Sequence, residues 1–488
     1  MKRITVLFAN IVCMTAMAQR DYKLVESRNA WLASGNAAAL TTMADSTIAA
    51  GKVFFQHDNG DLGAAAVGRR SNAYGADMRS YCRLSEEVVA YGSVTYSNVH
   101  GTEMAGSMLF PTTELMPFDI REVSDDNAGS KQNETFNIVG AIGWDTGKDV
   151  SVGAKVDFTA GSYAKYRDLR HTNTLMNLCT DVTVMYRPWG IGGGLLYRRT
   201  TETLNFKTYG TTDRVYQSLV DYANGCGETE TFGGEGFTDG SQEQPLFSEY
   251  MGVTGQWKCG RMFADVAWRH RNGYYGRQSQ YTASHSSHNG DSFDARLRCN
   301  LAESGRRLWW IDMTMCTEKL TAKRTNYRKV ASAENASLLY YEYYEPTKMS
   351  DKVQTAAEMA VTGYWKAAGE IYLWHLNGGL GWWNDRQTAY RYPDRNTARR
   401  HTVSPFVTMR RGILFHDTSL LTVQAGCAMT LGSMETVDTK ARIAYEMPLN
   451  GTAVRPCLSL NYSYSAATGG DISGQSRHVL AVTAEVTF

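Results

Sequence analysis

Hydrophobic and polar residues alternate at period two over long stretches of this chain. At the C-terminus Leu480, Val482, Ala484, Val486 and Phe488 share one face, and Ala481, Thr483, Glu485 and Thr487 share the other. The rhythm recurs at 150–159, where Val152, Val156 and Phe158 oppose Ser151, Lys155 and Asp157. At 262–269 Met262, Ala264, Val266 and Trp268 oppose Asp265 and Arg269. At 293–301 Phe293, Leu297 and Leu301 oppose Asp294, Arg296 and Arg298, and at 437–447 Val437, Ala441, Ile443 and Tyr445 oppose Lys440, Arg442 and Glu446. Successive side chains of a strand point to opposite faces, so each run predicts a β-strand with one apolar and one polar side.

A soluble β-sandwich alternates too, but two features favour a membrane barrel. The runs are about ten to twelve residues long, which suits a tilted bilayer crossing better than a sandwich strand. The connections also alternate in length. Short turns near 83–86, 146–148, 187–190, 259–261, 303–306, 367–369, 411–413 and 449–452 are interleaved with longer spans such as 99–132, 202–246, 321–351 and 384–398. Short turns on one side and long loops on the other mark an outer-membrane barrel, with the short turns periplasmic. The run at 73–83 descends into a short turn, so an ascending strand must precede it within 52–70. A barrel closed with both termini periplasmic has an even strand number, which gives an all-β, antiparallel up-and-down transmembrane barrel of about eighteen strands, with fourteen as the lower bound. Trp144, Trp189, Trp257, Trp309 and Trp365 all fall beside short turns, where amphipathic rings would form a girdle at the headgroup level.

Composition narrows the field. With 43% hydrophobic residues and 11% aromatics the chain is neither disordered nor collagen-like. Its 50 Lys and Arg against 49 Asp and Glu leave no positive field for nucleic acid. Mean hydropathy is −0.37 and no mature segment offers roughly 18 consecutive apolar residues, so a helical membrane protein is excluded. Lys2 and Arg3 precede an apolar stretch and Ala16-Met17-Ala18, the pattern of a secretory signal over 1–18. Its removal takes two cations and no acid, changing the formal charge from +1 to −1. The remaining cysteines show no CxxC and no regular spacing, so they read as small hydrophobes; no metal and no cofactor is expected.

Residues 19–50 lack clear alternation and carry Trp31-Leu32-Ala33-Ser34-Gly35-Asn36. A disordered lead-in and a short hatch inside the barrel are both open; Trp31 and Leu32 favour the hatch, with Trp31 and Asn36 as its candidate residues, and the wall then occupies 51–488. The motifs Trp31…Gly35-Asn36-Ala37-Ala38-Ala39-Leu40, Tyr96…Phe110-Pro111 and Tyr166-Arg167-Asp168-Leu169-Arg170 resemble an outer-membrane β-barrel family of Bacteroidota to which no activity is assigned. More loosely, the plan is similar to FadL- and PorP-type barrels, which pair an N-terminal hatch with a β-barrel wall. The resemblance implies export to the outer membrane of a Gram-negative bacterium, a lipid-facing wall, and recognition of the C-terminal strand ending in Phe488 by the barrel-assembly machinery.

The polar faces supply the candidate chemistry. Asp157, Asp265, Arg269, Asp294, Arg296, Arg298, Lys440, Arg442 and Glu446 are candidate lumen-facing residues. Mixed charge fits a polar pathway for a small polar or zwitterionic solute, and fits somewhat better a salt-bridged filling that stiffens the barrel. Tyr340, Tyr341, Tyr343 and Tyr344 are expected in an outer loop, as a ligand platform or a packing cluster. His285, His288 and Asp291 offer H-x-x-H without other metal-site signals. Three functions remain: passage or capture of a small solute, a non-conducting barrel that anchors a protein partner, and an outer-membrane hydrolase. The last has no G-x-S-x-G or distinctive Ser-His-acid spacing, so no enzyme is expected.

Overall fold

The computed structural model describes residues 22–44, 47–122, 127–207, 217–223, 229–233, 245–276, 283–304, 306–331, 339–368, 371–392, 394–449 and 454–487. The expected signal over 1–18 and the terminal Phe488 lie outside them. In chain order the strands are β1 (Thr47–Gly60), β2 (Arg70–Arg83), β3 (Val88–Met104), β4 (Asp119–Glu122), β5 (Gly129–Asp145), β6 (Val150–Lys165) and β7 (Arg170–Tyr186). Then come β8 (Ile191–Lys207), β9 (Gln217–Asp221), β10 (Thr229–Gly233), β11 (Pro245–Cys259), β12 (Met262–Tyr275), β13 (Ser286–Ser304) and β14 (Arg307–Ala331). The last are β15 (Leu339–Ala368), β16 (Ile371–Arg391), β17 (Asp394–Leu414), β18 (Leu420–Gly432), β19 (Glu435–Glu446), β20 (Arg455–Gly469) and β21 (Ser476–Thr487).

Eighteen of these strands form one antiparallel sheet in which β1 pairs with both β2 and β21, so the sheet closes on itself. The expected barrel and its strand number are observed. The missing ascending strand is β1, in which Val53 and Phe55 face outward, while Ala64–Val67 forms a short helix beyond it. β1 begins at Thr47, slightly before the expected wall boundary at 51.

The alternation maps onto the two faces of the wall. Val182 and Leu195 are 66% and 68% exposed on the outside, and Val53, Ile138, Val253, Met359 and Leu480 share that surface. A continuous apolar band of this size is unfavourable in water and suits the hydrocarbon of a bilayer. No described helix is long and apolar enough to cross a membrane. At the short-turn end Trp144, Trp189 and Trp257 are exposed, and Trp309, Trp365 and Trp374 stack in series with centroids 5.5 and 5.9 Å apart.

The opposite end departs from expectation. Much of the presumed loops 321–351 and 384–398 is strand: β14 and β15 run for 25 and 30 residues, and β16 and β17 for 21 each. Tyr340, Tyr341, Tyr343 and Tyr344 therefore lie in β15 and not in a loop, paired with Val330, Lys329, Tyr327 and Asn326 of β14. Aromatic residues fit a pleated surface well, so the tyrosine run that looked like a loop cluster extends the ladder. The turn expected at 411–413 falls at 415–419, because Arg411–Leu414 continue β17.

Candidate functional site

Two segments fill the lumen from its two ends. At the short-turn end, residues 22–44 fold into short helical turns inside the wall. Asn29 caps Ala30–Ala33, and Asn36 caps the 3-10 turn Ala37–Thr42 by accepting from the Ala38 amide at 2.9 Å. The same amide reaches Thr183 Oγ1 of β7 at 2.9 Å, and Asn36 Nδ2 donates to Gln256 Oε1 of β11 at 2.9 Å. Trp31 meets Phe263 of β12 edge-on at 5.1 Å. Arg296 and Arg298 of β13 donate to the carbonyls of Ala33 and Ser27. Close approach requires glycine in the wall: a Cβ at Gly153 would overlap Ala37 and Ala38, and one at Gly192 would meet Trp31 and Asn36 at 2.9 Å.

From the other end, the connection after β3 turns inward. Met108, Leu109, Phe118 and Ile120 bury themselves with Leu204, Phe206, Val220, Tyr222, Leu246 and Tyr275. Phe118 is fully buried, edge-on to Tyr222 and Tyr275 at 6.0 and 5.1 Å. β4, within this connection, pairs with β9, and β9 with β10, as a small separate sheet. Wall residues satisfy the loop's polar groups: Arg271 Nη1 donates to Leu115 O at 2.7 Å, Lys352 Nζ to Met116 O at 2.8 Å, and Lys131 Nζ to Ser107 O at 2.7 Å. The Phe110 amide donates to Glu202 Oε1 at 2.7 Å, and Gly161 leaves room for the Phe110 ring.

Glu114, at the inner reach of this loop, is the electrostatic anchor. It pairs with Arg198 of β8 and accepts from Tyr250 Oη at 3.0 Å. Burial alone would raise its pKa, but the charge and hydrogen bond of Arg198, with Arg271 behind them, outweigh that and hold Glu114 below the usual carboxylate range.

Against the wall of β12–β17 lies a cavity of about 450 Å³ lined by Asp265, Asp294, Arg296, Glu358 and Trp383. A neighbouring space of about 490 Å³ is bounded by Asn36, Leu32, Lys155, Asp157, Arg296 and Arg298, so Arg296 borders both. Most of these charges are paired. Arg269 bonds Asp294, Arg296 and Arg298 share Asp312 at 3.1 and 2.7 Å, Gln256 donates to Asp265 at 2.9 Å, and Asn137 donates to Asp157 at 2.6 Å. Glu358 makes no ion pair or hydrogen bond among the described residues.

The structure thus gathers Asp157, Asp265, Arg269, Asp294, Arg296 and Arg298 around the plugs and places Lys440, Arg442 and Glu446 elsewhere. Those three stand on the inner face of β19, where Glu446 meets Arg455 at 3.1 Å. Among the described residues, the hydrogen bonds and packed clusters that hold the plugs do not extend to β18–β21. The inner face there carries small polar residues: Thr422, Gln424 and Thr430 on β18, and Ser459, Asn461 and Ser463 on β20. Trp31 and Asn36 both lie inside the barrel. His285, His288 and Asp291 do not converge: His288 Nε2 turns to Ser248 Oγ at 2.9 Å in the interior, while Asp291 pairs with His270. No group of three metal-ligating side chains occurs among the described residues. The loop anchors Glu114, Arg271 and Lys352 escaped the sequence reading; the apolar Met108-Leu109-Phe110 within a presumed water-exposed loop was the available signal.

Three solved structures align with this chain over most of both chains. BauA, the ferric preacinetobactin receptor from Acinetobacter baumannii, is 9% identical over 91% of this chain and 80% of its own, with a TM-score of 0.41. A Pseudomonas aeruginosa FadL homologue is 12% identical over 93% and 92%, at 0.32, and the P. putida toluene transporter TodX is 8% identical over 93% and 91%, at 0.30. Likeness at this level passes no substrate or mechanism to this chain. No curated protein matches the sequence. The chain belongs to a family of unknown function, DUF6850, whose model matches residues 37–437.

Proposed function

We propose that this member of the DUF6850 family sits in the outer membrane of a Gram-negative cell and passes or captures a small polar or zwitterionic solute in its lumen. The short turns and the hatch face the periplasm; the inward loop and the long β14–β17 strands face outside. The observation that carries the reading is the eccentric seating of the two plugs. Both are fastened to the arc that runs from β1 to β16, and among the described residues no hydrogen bond or packed cluster ties them to the β18–β21 wall, where short polar side chains stand beside the charges of β19. A salt-bridged filling that merely stiffened the barrel would have no reason to leave one arc bare. The cavity against β12–β17 offers a carboxylate, Glu358, a shared guanidinium, Arg296, and an indole, Trp383, which together suit a solute carrying both charges. The proposal includes no catalytic step and no cofactor.

Swelling of liposomes that contain the refolded full chain tests it. Glycine and small sugars enter faster than into empty liposomes, and the rate falls steeply with solute size. Equal swelling with and without protein contradicts the reading and leaves the non-conducting anchor for a protein partner in its place.

A further inference from the structure

The strand registers of β14–β17 place side chains in rows across the outer surface. The last apolar row is Met315, Ala357, Trp382 and Val403; each is the direct cross-strand partner of the next. One step outward comes a polar row, Thr317, Thr355, Asn384 and His401, in which the two threonine hydroxyls lie 3.1 Å apart. The next row is Lys319, Val353, Arg386 and Arg399. Two steps of two residues each are about 13 Å along the strands, or roughly 10 Å along the membrane normal at a tilt near 40°. Three cations therefore stand at the height of the lipid headgroups.

Lys319, Arg386 and Arg399 are exposed and form no ion pair among the described residues. The charged groups around them do not neutralise the row. Asp291, the cross-strand partner of Lys319, turns to His270 at 2.9 Å and makes no ion pair with Lys319 among the described residues, and Asp351, in the row above, is paired with Lys348 at 2.5 Å. Lys323 and Arg395 add further positive charge above, the latter 5.7 Å from the Tyr390 ring. The rim over β3–β5 and over β8–β11 differs. Just beyond the apolar band there, Tyr96 donates to Glu134 and Tyr197 to Glu249, both at 2.8 Å, and Arg199 lies over the Phe247 ring at 4.8 Å. That rim satisfies itself; the β14–β17 rim does not.

We propose that the outer face of β14–β17 binds the phosphate groups of membrane lipid headgroups, with Lys319, Arg386 and Arg399 as the binding row. Continuity with the apolar band selects a lipid over a free anion: acyl chains lie against Met315, Trp382 and Val403 while the phosphates reach the cations. The inference holds whether or not the lumen conducts, because it uses only the outer surface.

Native mass spectrometry of the full chain in detergent, with diphosphorylated lipid A as the probe, tests it. The wild-type protein retains lipid A and shows no comparable retention of phosphatidylcholine. A Lys319→Gln/Arg386→Gln/Arg399→Gln variant weakens retention by about a factor of five per cation, on the order of 100-fold for the three. Arg199→Gln, on the β8 rim, leaves it unchanged. Equal retention by the triple variant overturns the proposal. So does release of lipid A by inorganic phosphate as complete as release by excess lipid A, since that marks a simple anion site. If the triple variant does not fold, Arg386→Gln alone carries the comparison, and the proposal fails unless Arg386→Lys restores what Arg386→Gln removes.

Discussion

The inner faces of β5–β15 and of β18–β21 belong to one closed sheet and share the same apolar exterior, yet they are built for different tasks. The first is crowded with long charged side chains and wall glycines, several of which hold a plug. Arg198, Arg271 and Lys352 hold the inward loop, Arg296 and Arg298 hold the hatch, and Gly153 and Gly192 let the hatch come close. The second mixes short threonine, serine, asparagine and alanine side chains with Asp438, Lys440, Arg442 and Glu446 on β19, Arg455 on β20 and Glu485 on β21, and among the described residues none of these charges holds a plug. Closure of the sheet constrains only the outside and the backbone; the inside is free to differ by sector. In this barrel the difference divides a sector that anchors plugs from a sector that, among the described residues, makes no hydrogen bond or packed cluster with them.

The strongest way to break the comparison is to unseat the outer plug. Phe118→Ala removes a fully buried ring between Tyr222 and Tyr275, and the loop should lose about 3–5 kcal/mol of docking free energy. Limited proteolysis of the refolded protein should then cut within 105–122, where the wild type resists; a resistant variant would show that the ring does not hold the loop.

Next in size is the ion pair beneath it. Arg198→Gln leaves Glu114 with Tyr250 and the more distant Arg271, at a cost of about 1–3 kcal/mol for a partly buried pair. Because the docked pKa of Glu114 lies below its free value, the pair's contribution is fully present above the ordinary carboxylate range. It is lost as pH falls through the lowered value. Loop release followed by proteolysis should therefore rise at acid pH in the wild type. In Glu114→Gln that acid-dependent step should be absent, and a step of unchanged size would assign it to other carboxylates.

Much of this could be read in the sequence, for reasons that also explain what could not. Period-two alternation is imposed by the lipid on every wall strand, so the barrel, its closure and the outward or inward sense of Asp294, Arg296 and Lys440 were legible. Trp31 and Asn36 stood out because nothing near them alternates. The inward loop was not legible, since Glu114 and Phe118 belong to no periodic run and their partners Arg198, Tyr222 and Tyr275 lie far along the chain. The extended β14–β15 ladder was hidden by its polar residues, which above the bilayer need not alternate.

Smaller effects sharpen the comparison at the other end. Asn36→Ala removes the cap on Ala38 and the bond to Gln256, a loss of about 1–2 kcal/mol that thermal melting of the hatch contacts should report. On the bare sector, Asn461→Ala should change stability by no more than about 0.5 kcal/mol, since nothing docks there. A large loss at Asn461 with none at Asn36 would invert the assignment of the two sectors.

The most direct test of the central claim is single-channel conductance in planar bilayers, comparing the wild type with Asn461→Trp and with Ser292→Trp on the plugged sector. The account predicts a small steady conductance in the wild type that Asn461→Trp lowers sharply and Ser292→Trp leaves nearly intact. A silent wild-type barrel, or equal loss from both substitutions, would contradict it.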